Sequence, residues 1–298
     1  MVRPMLRPGL HVVRRDSRTL QLGLEWPGVA ALPASEGVLA VLDAVDGFRD
    51  VAGVVLAAAA SGVAVDDARQ AVEALIDAGA LVDQAVVKPA TVTEPTWAAL
   101  WLLAGPRGDA RAVLHARQST SVHVIGTGAL ARSVTSLLKE EHLPLTPDLK
   151  AATVLVLVAD RELPREVADD AMRAGSPYLC VGIRELVGLV GPFVVPGSTA
   201  CLRCVDLSRA DLDSCWRTVI AAADDSSVAA PTYPPSLLAA VAGYAAQEVA
   251  LWASGALPVS CDNVVEFPYG LGEVQAVAYP PHPQCGCGWR AGRETMSA

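Results

Sequence analysis

The sequence predicts an α/β protein, and three observations support this fold class. From Ser121 onward, apolar strand-like runs alternate with helical segments, which is the pattern of a largely parallel sheet covered by helices. The run 153–159 is apolar almost throughout, as a strand buried on both faces of such a sheet requires. Residues 1–88 instead place strand-like sequence before helices, which predicts a small, separate α+β domain.

The first region, residues 1–88, has the element order of a winged-helix unit. Leu20–Leu24 alternates leucine with polar residues or glycine and predicts a half-buried strand. Ser35 is the predicted N-cap of the first of three helices, and the second helix spans about 49–60. The third helix, Asp66–Ala78, opens with acidic residues and is followed by a short strand at 80–83.

Residues 89–118 are predicted to connect the two domains. Prolines interrupt this segment, so it is not expected to form one continuous helix. Trp97, Leu100 and Trp101 have the i, i+3, i+4 spacing of one helix face, which predicts a short helix. Packing within the protein is the preferred interpretation of this face, and docking of a partner is the alternative.

The third region, residues 119–298, alternates strands and helices. Its long apolar segment 236–257 contains Gln247 and Glu248 near the middle, so a buried helix is expected there rather than a membrane span. The predicted elements are strands at 122–125, 153–159 and 177–183, helices at 127–142, 163–174 and 235–254, and a bent antiparallel pair at 186–195.

Charge and composition limit the partners and the compartment. The chain is 52% hydrophobic with a formal net charge of -9 and a pI near 5.0, so a fold-wide basic surface for nucleic acid is not expected. The first twenty residues lack a continuous apolar stretch, and the seven cysteines then indicate a reducing cytoplasm. A local basic cluster is interpreted as a solvated edge and comprises Arg3, Arg7, Arg14, Arg15 and Arg18.

A glycine-rich loop follows the first strand of the third region. Residues 126–131, from Gly126 to Ala131, fit G-x-G-x-x-A between a strand and a helix, as in a Rossmann-like phosphate loop. A dinucleotide site also needs a second strand that ends in an acidic residue about 20 residues further on. Asp148 lies near that distance but in a proline-containing loop, so no nicotinamide or flavin cofactor is expected.

Two short cysteine pairs predict a metal site. Cys201 and Cys204 form a C-x-x-C, and Cys285 and Cys287 follow about eighty residues later. Two such pairs make a tetrahedral zinc site without an open position, which is structural rather than catalytic. A redox C-x-x-C is the rival, but it leaves the second pair unexplained, and His282 is an alternative ligand.

The remaining cysteines carry weaker expectations. Cys180 lies in a predicted buried strand and is expected to be inert. Cys215 and Cys261 are candidate nucleophiles, but neither has an adjacent histidine to activate it.

The glycine loop, the apolar run ending in Asp160 and the paired cysteines together resemble the ThiF/MoeB superfamily, whose fold is that of ubiquitin-activating enzymes. The resemblance covers about residues 119–298. The N-terminal part, from Leu6 through Asp83, resembles the winged-helix unit fused to ThiF-like proteins in thiazole/oxazole-modified peptide (RiPP) pathways. That resemblance implies capture of a leader peptide as an added strand, with the Leu20–Leu24 strand and the Asp66–Ala78 helix as walls.

The resemblance implies adenylation of a C-terminal carboxylate with ATP and magnesium. Gly126, Gly128 and Ala129 would hold the nucleotide, and Asp160 would hold the metal. The family's acidic ribose-binding residue, its Asn-x-x-Arg-Gln stretch and its phosphate-binding lysine have no match between residues 131 and 151, where Lys150 is poorly placed.

These losses favour a cytoplasmic pseudoenzyme that binds a peptide or small-protein tail and presents it to a partner ATP-using enzyme. One alternative is an active adenylyltransferase in which Arg132 or Arg161 replaces the missing cations. A second is a winged-helix nucleic-acid regulator that uses the N-terminal arginines. By the resemblance, the helix around Tyr244, Gln247 and Leu251 is a candidate homodimer face, and core packing of this helix is an equal alternative.

Overall fold

The computed structural model describes residues 2–25, 30–159, 162–163, 165–225, 233–270 and 272–288. The chain forms two compact units, Met1–His115 and Ala116–Ala298. The segment 89–118, predicted as a connector, therefore falls almost entirely within the first unit.

The first unit contains two small antiparallel sheets and five helices, the last of which continues past His115. One sheet has the strand order β2-β3-β4, and the other pairs β1 with β5. The strands are β1 (Pro4–Leu6), β2 (Val12–Arg14), β3 (Thr19–Leu22), β4 (Ala30–Pro33) and β5 (Leu81–Asp83), and the helices are α1 (Glu36–Ala44), α2 (Val51–Ala60), α3 (Val65–Asp77), α4 (Glu94–Leu103) and α5 (Ala110–Gln118).

The three helices predicted before residue 80 form where the sequence places them. Ser35 caps α1 by accepting a hydrogen bond from the Val38 backbone N–H at 3.3 Å, and Asp50 caps α2 in the same way. Buried residues of α3 recur at the spacing of one helix face, and α3 packs against α1, α2 and β5. These residues are Ala68, Ala71, Val72 and Leu75.

Arg7 contradicts the interpretation of the N-terminal arginines as a solvated edge. It is only 3% exposed, and its guanidinium donates to the backbone carbonyls of Trp101, Gly105 and Pro106. Burial lowers the pKa of Arg7 below its ordinary value. The last carbonyls of a helix have no hydrogen-bond partner within the helix. Arg7 donates to such carbonyls at and just after the end of α4. The basic cluster available to a nucleic acid is correspondingly smaller.

The second unit is built on one six-stranded mixed sheet with the order β11-β10-β9-β8-β7-β6. Strands β6, β7 and β8 are parallel, and the pairs from β8 to β11 are antiparallel. The strands are β6 (Val122–Ile125), β7 (Val154–Ala159), β8 (Tyr178–Arg184), β9 (Val187–Val194), β10 (Asn263–Pro268) and β11 (Gln275–Ala278), and the helices are α6 (Gly128–Glu140), α7 (Arg165–Ala174), α8 (Leu202–Leu212), α9 (Trp216–Asp225) and α10 (Pro235–Ala253).

Helices cover both faces of β7, as its apolar sequence predicts. Val154, Val156 and Val158 face a core shared with α6 and α10. Leu155 and Leu157 face a second core shared with α7 and α8. The sheet therefore separates two apolar layers, and the carboxyl ends of β6, β7 and β8 meet at one edge.

Helix α10 is a core helix. It is long and apolar enough to cross a membrane by length and composition, but half of its apolar stretch is buried within the protein. Its fully buried Glu248 accepts a hydrogen bond from the Ser260 backbone N–H at 2.6 Å. Tyr244 stacks edge-on against Phe267 of the same chain at 5.4 Å, and the homodimer through this helix remains a prediction.

The bent antiparallel pair predicted at 186–195 is wrong. This segment forms the single strand β9, which pairs with both β8 and β10. Its glycines allow close packing rather than a turn. A Cβ on Gly188 would lie 2.1 Å from Cγ2 of Val241 on α10, and one on Gly191 would lie 2.5 Å from the Asn263 carbonyl oxygen.

Candidate functional site

The four predicted metal-binding cysteines converge on one point. Cys201 is the N-cap residue of α8, Cys204 lies in its first turn, and the other two lie in the loop after β11. The Sγ atoms of Cys201 and Cys285 are 3.4 Å apart, and those of Cys204 and Cys287 are 3.3 Å apart. All four sulfur atoms lie within 4.8 Å of one another.

This spacing fits a tetrahedral metal–thiolate centre. An ion about 2.3 Å from each of four sulfurs in a tetrahedron would set sulfur–sulfur distances near about 3.8 Å. The Cys201–Cys204 distance is 3.8 Å, and the two distances between the pairs are slightly shorter. Such a set closes around the ion and leaves no position for water or substrate.

The surroundings of the cluster favour a thiolate at Cys204. The pKa of Cys204 falls to about 4 because the neighbouring Cys201 thiol donates a hydrogen bond to its sulfur, and the His282 backbone N–H donates a second at 3.3 Å. The same contact with Cys204 raises the pKa of Cys201. The His282 ring lies 3.0 Å from Asp211, so its contact with the cluster is through the backbone.

Two of the three remaining cysteines, Cys180 and Cys261, are buried, and burial disfavours their thiolate forms. Burial raises the pKa of Cys180 well above its ordinary value, in agreement with the expectation that it is inert. Burial also raises the pKa of Cys261, to about 11, so this thiol stays protonated at neutral pH. Cys215 is exposed.

The glycine loop has the backbone geometry that its sequence predicts. Gly126 has a φ of +150°, and a Cβ there would lie 2.3 Å from the Val158 carbonyl oxygen of the neighbouring strand. Gly128 begins α6 at a φ of +88°, with Thr127 as the N-cap residue and Ala129 in the first turn. A cleft of about 420 Å³ lies beside the loop, and Arg132 and Lys139 contribute to its wall.

The sheet ends at β6, where a nucleotide-binding sheet would continue. Residues 126–159 are all described, and between α6 and β7 they contribute a single bridge, from Leu145 to Val122, instead of a second strand. Asp148 accepts the Lys150 backbone N–H at 2.9 Å and so stabilises its own turn. Lys150 lines a different cavity, together with His123 and Ile125, whose side chains alternate with those facing α6.

Two residues of the predicted ATP site lie outside the described residues. Asp160, the predicted magnesium ligand, follows β7 directly, and Arg161 follows Asp160. Their roles therefore remain predictions.

In the first unit, the strand that was predicted to bind a peptide is a central strand and has no free edge. The Leu20–Leu24 strand corresponds to β3, which pairs with β2 on one side and β4 on the other. Within the described residues, β4 pairs only with β3, so its outer edge is free. The sequence carried a signal for this edge in Pro33, because proline within a strand marks an edge position.

A groove lies at the start of β4 and is called the β4 groove here. It has a volume of about 510 Å³ and runs between Ala30 of β4, the end of α3 at Asp77 and Ala78, and the loop at Pro106. The predicted Asp66–Ala78 helix thus forms one wall, and β4 replaces the predicted strand as the other.

Comparison with solved structures identifies the fold. A heterocyclase in complex with substrate and cofactor superimposes with a TM-score of 0.72 at 16% identity, over 96% of this chain. The heterocyclase TruD gives 0.70 at 19% identity over 98% of this chain. MccB of E. coli bound to ATP gives 0.64 at 13% identity over 95% of this chain and 99% of MccB. The chain shares the heterocyclase and MccB fold.

The chain spans only 39% and 44% of the length of the two heterocyclases. MccB, a microcin C7 biosynthetic enzyme, has also been determined with N-formylated MccA. No protein-family model matches the sequence, and no curated protein matches it.

Gly126→Ala tests whether the loop glycine is required by the fold itself. The added Cβ meets the Val158 carbonyl in a backbone conformation that disfavours side chains, so we expect unfolding free energy to fall by about 3 kcal/mol. Gly175→Ala is the matched control, since Gly175 has a φ of +71° but open space around its Cβ position. It should cost about 1 kcal/mol by denaturant titration. Equal losses in both variants would contradict the clash.

Proposed function

We propose that this protein is a ThiF-like zinc protein without ATP chemistry. In this proposal its winged-helix-like first unit binds a peptide or small-protein tail, and the protein presents that peptide to a partner ATP-using enzyme. The observation that carries the proposal is the outer edge of β4, which is unpaired within the described residues, on a strand whose first residue lines the β4 groove. An exposed strand next to a groove accepts an extended chain through main-chain hydrogen bonds, with side-chain pockets for selectivity.

The hydrogen-bond pattern of the sheet identifies the groups available at this edge. The Ala34 N–H donates to the Arg18 carbonyl at 2.7 Å, so residue 34 is bonded toward β3. Bonded and non-bonded positions alternate along an antiparallel pair. The N–H and carbonyl of Ala31, which lies opposite Gln21, therefore point away from β3 and toward an added strand.

The structural neighbours support a peptide ligand. One heterocyclase was determined in complex with its substrate, and MccB was determined in complex with N-formylated MccA. The partner ATP-using enzyme in this proposal rests on the resemblance to thiazole/oxazole-modified peptide pathways.

The end of the sheet at β6 supports the loss of ATP chemistry. A ribose-binding acid at the end of a second strand has no counterpart here, because that strand is reduced to the bridge at Leu145. Triphosphate transfer also needs cations fixed at the developing charge, each worth about 3–4 kcal/mol. Lys150 faces a different cavity from the glycine loop.

One observation favours the alternative of an active adenylyltransferase. Arg132 and Lys139 line the cleft beside the glycine loop, and two cations there could contact a phosphate. In that alternative Asp160 holds magnesium and Arg161 assists. This alternative requires Mg-ATP binding, which the main proposal excludes.

We also propose that the four cysteines bind one structural zinc ion. Four thiolates form a closed set that suits zinc, and they join α8, where Cys201 and Cys204 are buried, to the loop after β11, where Cys285 and Cys287 are half-buried. The metal would tie two segments together that lie about eighty residues apart in sequence. Protons compete with metal for thiolates, so the zinc should be released as the pH falls.

Cys285→Ser should reduce the zinc content below one ion per chain and lower the Tm by about 10 °C, because losing a cross-link of a few kcal/mol has that effect at this size. Elemental analysis and a thermal melt measure the two effects. Cys215→Ser is the control, since Cys215 is exposed and outside the cluster. Equal zinc content in both variants would exclude the proposed ligand set.

Ala31→Pro should abolish peptide binding at the β4 edge. The substitution removes the outward N–H while leaving the bonds to β3 in place, so we expect peptide affinity to fall at least about tenfold. The probes are peptides selected against the wild-type chain from a displayed random library, and affinity is measured by fluorescence polarisation.

Arg14→Pro supplies the matched control for this experiment. Arg15 donates to the Thr19 carbonyl at 3.0 Å, so the neighbouring Arg14 points its N–H away from β3 at the opposite edge of the sheet. This variant should bind the selected peptides as the wild type does. Loss of binding in Arg14→Pro but not in Ala31→Pro would move the site to β2, and no loss in either would refute strand addition.

A further inference from the structure

A second cavity in the second unit gathers arginines from three helices. It has a volume of about 430 Å³, lies between α7, α8 and α9, and is called the arginine groove here. Arg165 is the first residue of α7, Arg203 the second residue of α8 and Arg217 the second residue of α9. The groove is therefore lined by three arginines from three helix starts.

These positions are electrostatically unusual. The first turn of a helix carries partial positive charge and favours acidic side chains. Helices α8 and α9 have no acidic residue in their first turns and place an arginine there instead. Arginines at these helix starts add positive charge to ends that are already partly positive, so the groove favours an anionic ligand.

The acidic residue in the groove is already neutralised. Asp206 accepts two hydrogen bonds from Arg165, at 2.8 and 3.1 Å, and a third from the Trp216 indole N–H at 3.1 Å. Arg165 also contacts Glu162, which is paired with Arg184 as well. This network fixes Arg165 and Trp216 in place before any ligand binds.

Two of the three arginines remain available. Arg203 and Arg217 are exposed, and neither guanidinium has a hydrogen bond or ion pair with any described residue. With three arginines and one aspartate in its wall, the groove has a formal charge of +2. The whole chain has a formal charge of -9, so this cleft stands out against an otherwise acidic protein.

The remaining wall residues indicate what kind of anion fits. Leu207, Ile220 and Ala221 give the groove an apolar side. The Trp216 ring already has two guanidinium groups over it, from Arg184 at 5.4 Å and Arg209 at 4.9 Å, which disfavours stacking of a nucleobase. A chain that carries carboxylates among apolar groups matches this wall better than a nucleotide or an inorganic anion.

We propose that the arginine groove binds an acidic segment of a peptide, with Arg203 and Arg217 each donating charge-assisted hydrogen bonds to a carboxylate. The ligand class rests on the proposed function, since both sites would engage a peptide. The groove lies in the second unit and the β4 edge in the first, so the two sites can fail independently.

The test is calorimetric titration of the full chain with an acetylated, amidated oligoglutamate peptide at low ionic strength. Oligoglutamate should bind, added salt should weaken the binding, and capped oligoglutamine and oligolysine should not bind. The double variant Arg203→Ala/Arg217→Ala should lose about tenfold in affinity for each arginine removed. Arg14→Ala/Arg15→Ala removes the same charge from exposed positions in the first unit and should bind as the wild type does.

Several results would overturn the proposal. These are no binding of oligoglutamate, equal loss in the two double variants, or binding of inorganic pyrophosphate in place of the peptide. The Ala31→Pro variant separates the two sites, because it should retain oligoglutamate binding even if it loses the library-selected peptides. Loss of oligoglutamate binding in Ala31→Pro would contradict the assignment to the arginine groove.

Discussion

Four sulfur atoms bring the start of α8 next to the loop after β11, and the metal proposed there would hold these two segments together. Cys201 is the N-cap residue of α8 and Cys204 lies in its first turn, so a metal bound by both would also fix the backbone of Arg203 between them. The buried surroundings of Cys204 belong to the same core as Leu155 and Leu157 of β7. A metal cross-link at this point would join the sheet, α8 and the loop that follows β11.

The β6 edge of the sheet lacks the strand that a nucleotide site would use. Beyond β6 the nucleotide-binding fold would need another strand, and the chain supplies one bridge before it returns to β7. The glycine loop is nevertheless kept, because Gly126 allows the backbone to pass close to the Val158 carbonyl. Packing between β6 and β7 is thus sufficient to explain this glycine without a bound nucleotide. The chain shares the fold of MccB, and within the described residues its sheet ends at β6.

Local patterns in the sequence predicted the elements that depend on local chemistry. The apolar run of β7, the Ser35 cap and the paired cysteines each carry their signal in a few neighbouring residues. Features that depend on strand order or distant contacts were missed. The burial of Arg7 requires carbonyls about a hundred residues away, and the central position of β3 is set by two partners. The arginine groove joins residues from three helices that no periodicity connects.

The most direct test of the central claim is calorimetric titration of the purified, zinc-loaded chain with Mg-ATP. A sheet that ends at β6, without a ribose-binding acid, predicts no detectable heat of binding at millimolar nucleotide. Binding of one Mg-ATP per chain at micromolar strength would contradict the account. It would show that Arg132, Lys139 and Asp160 form a rearranged but working nucleotide site.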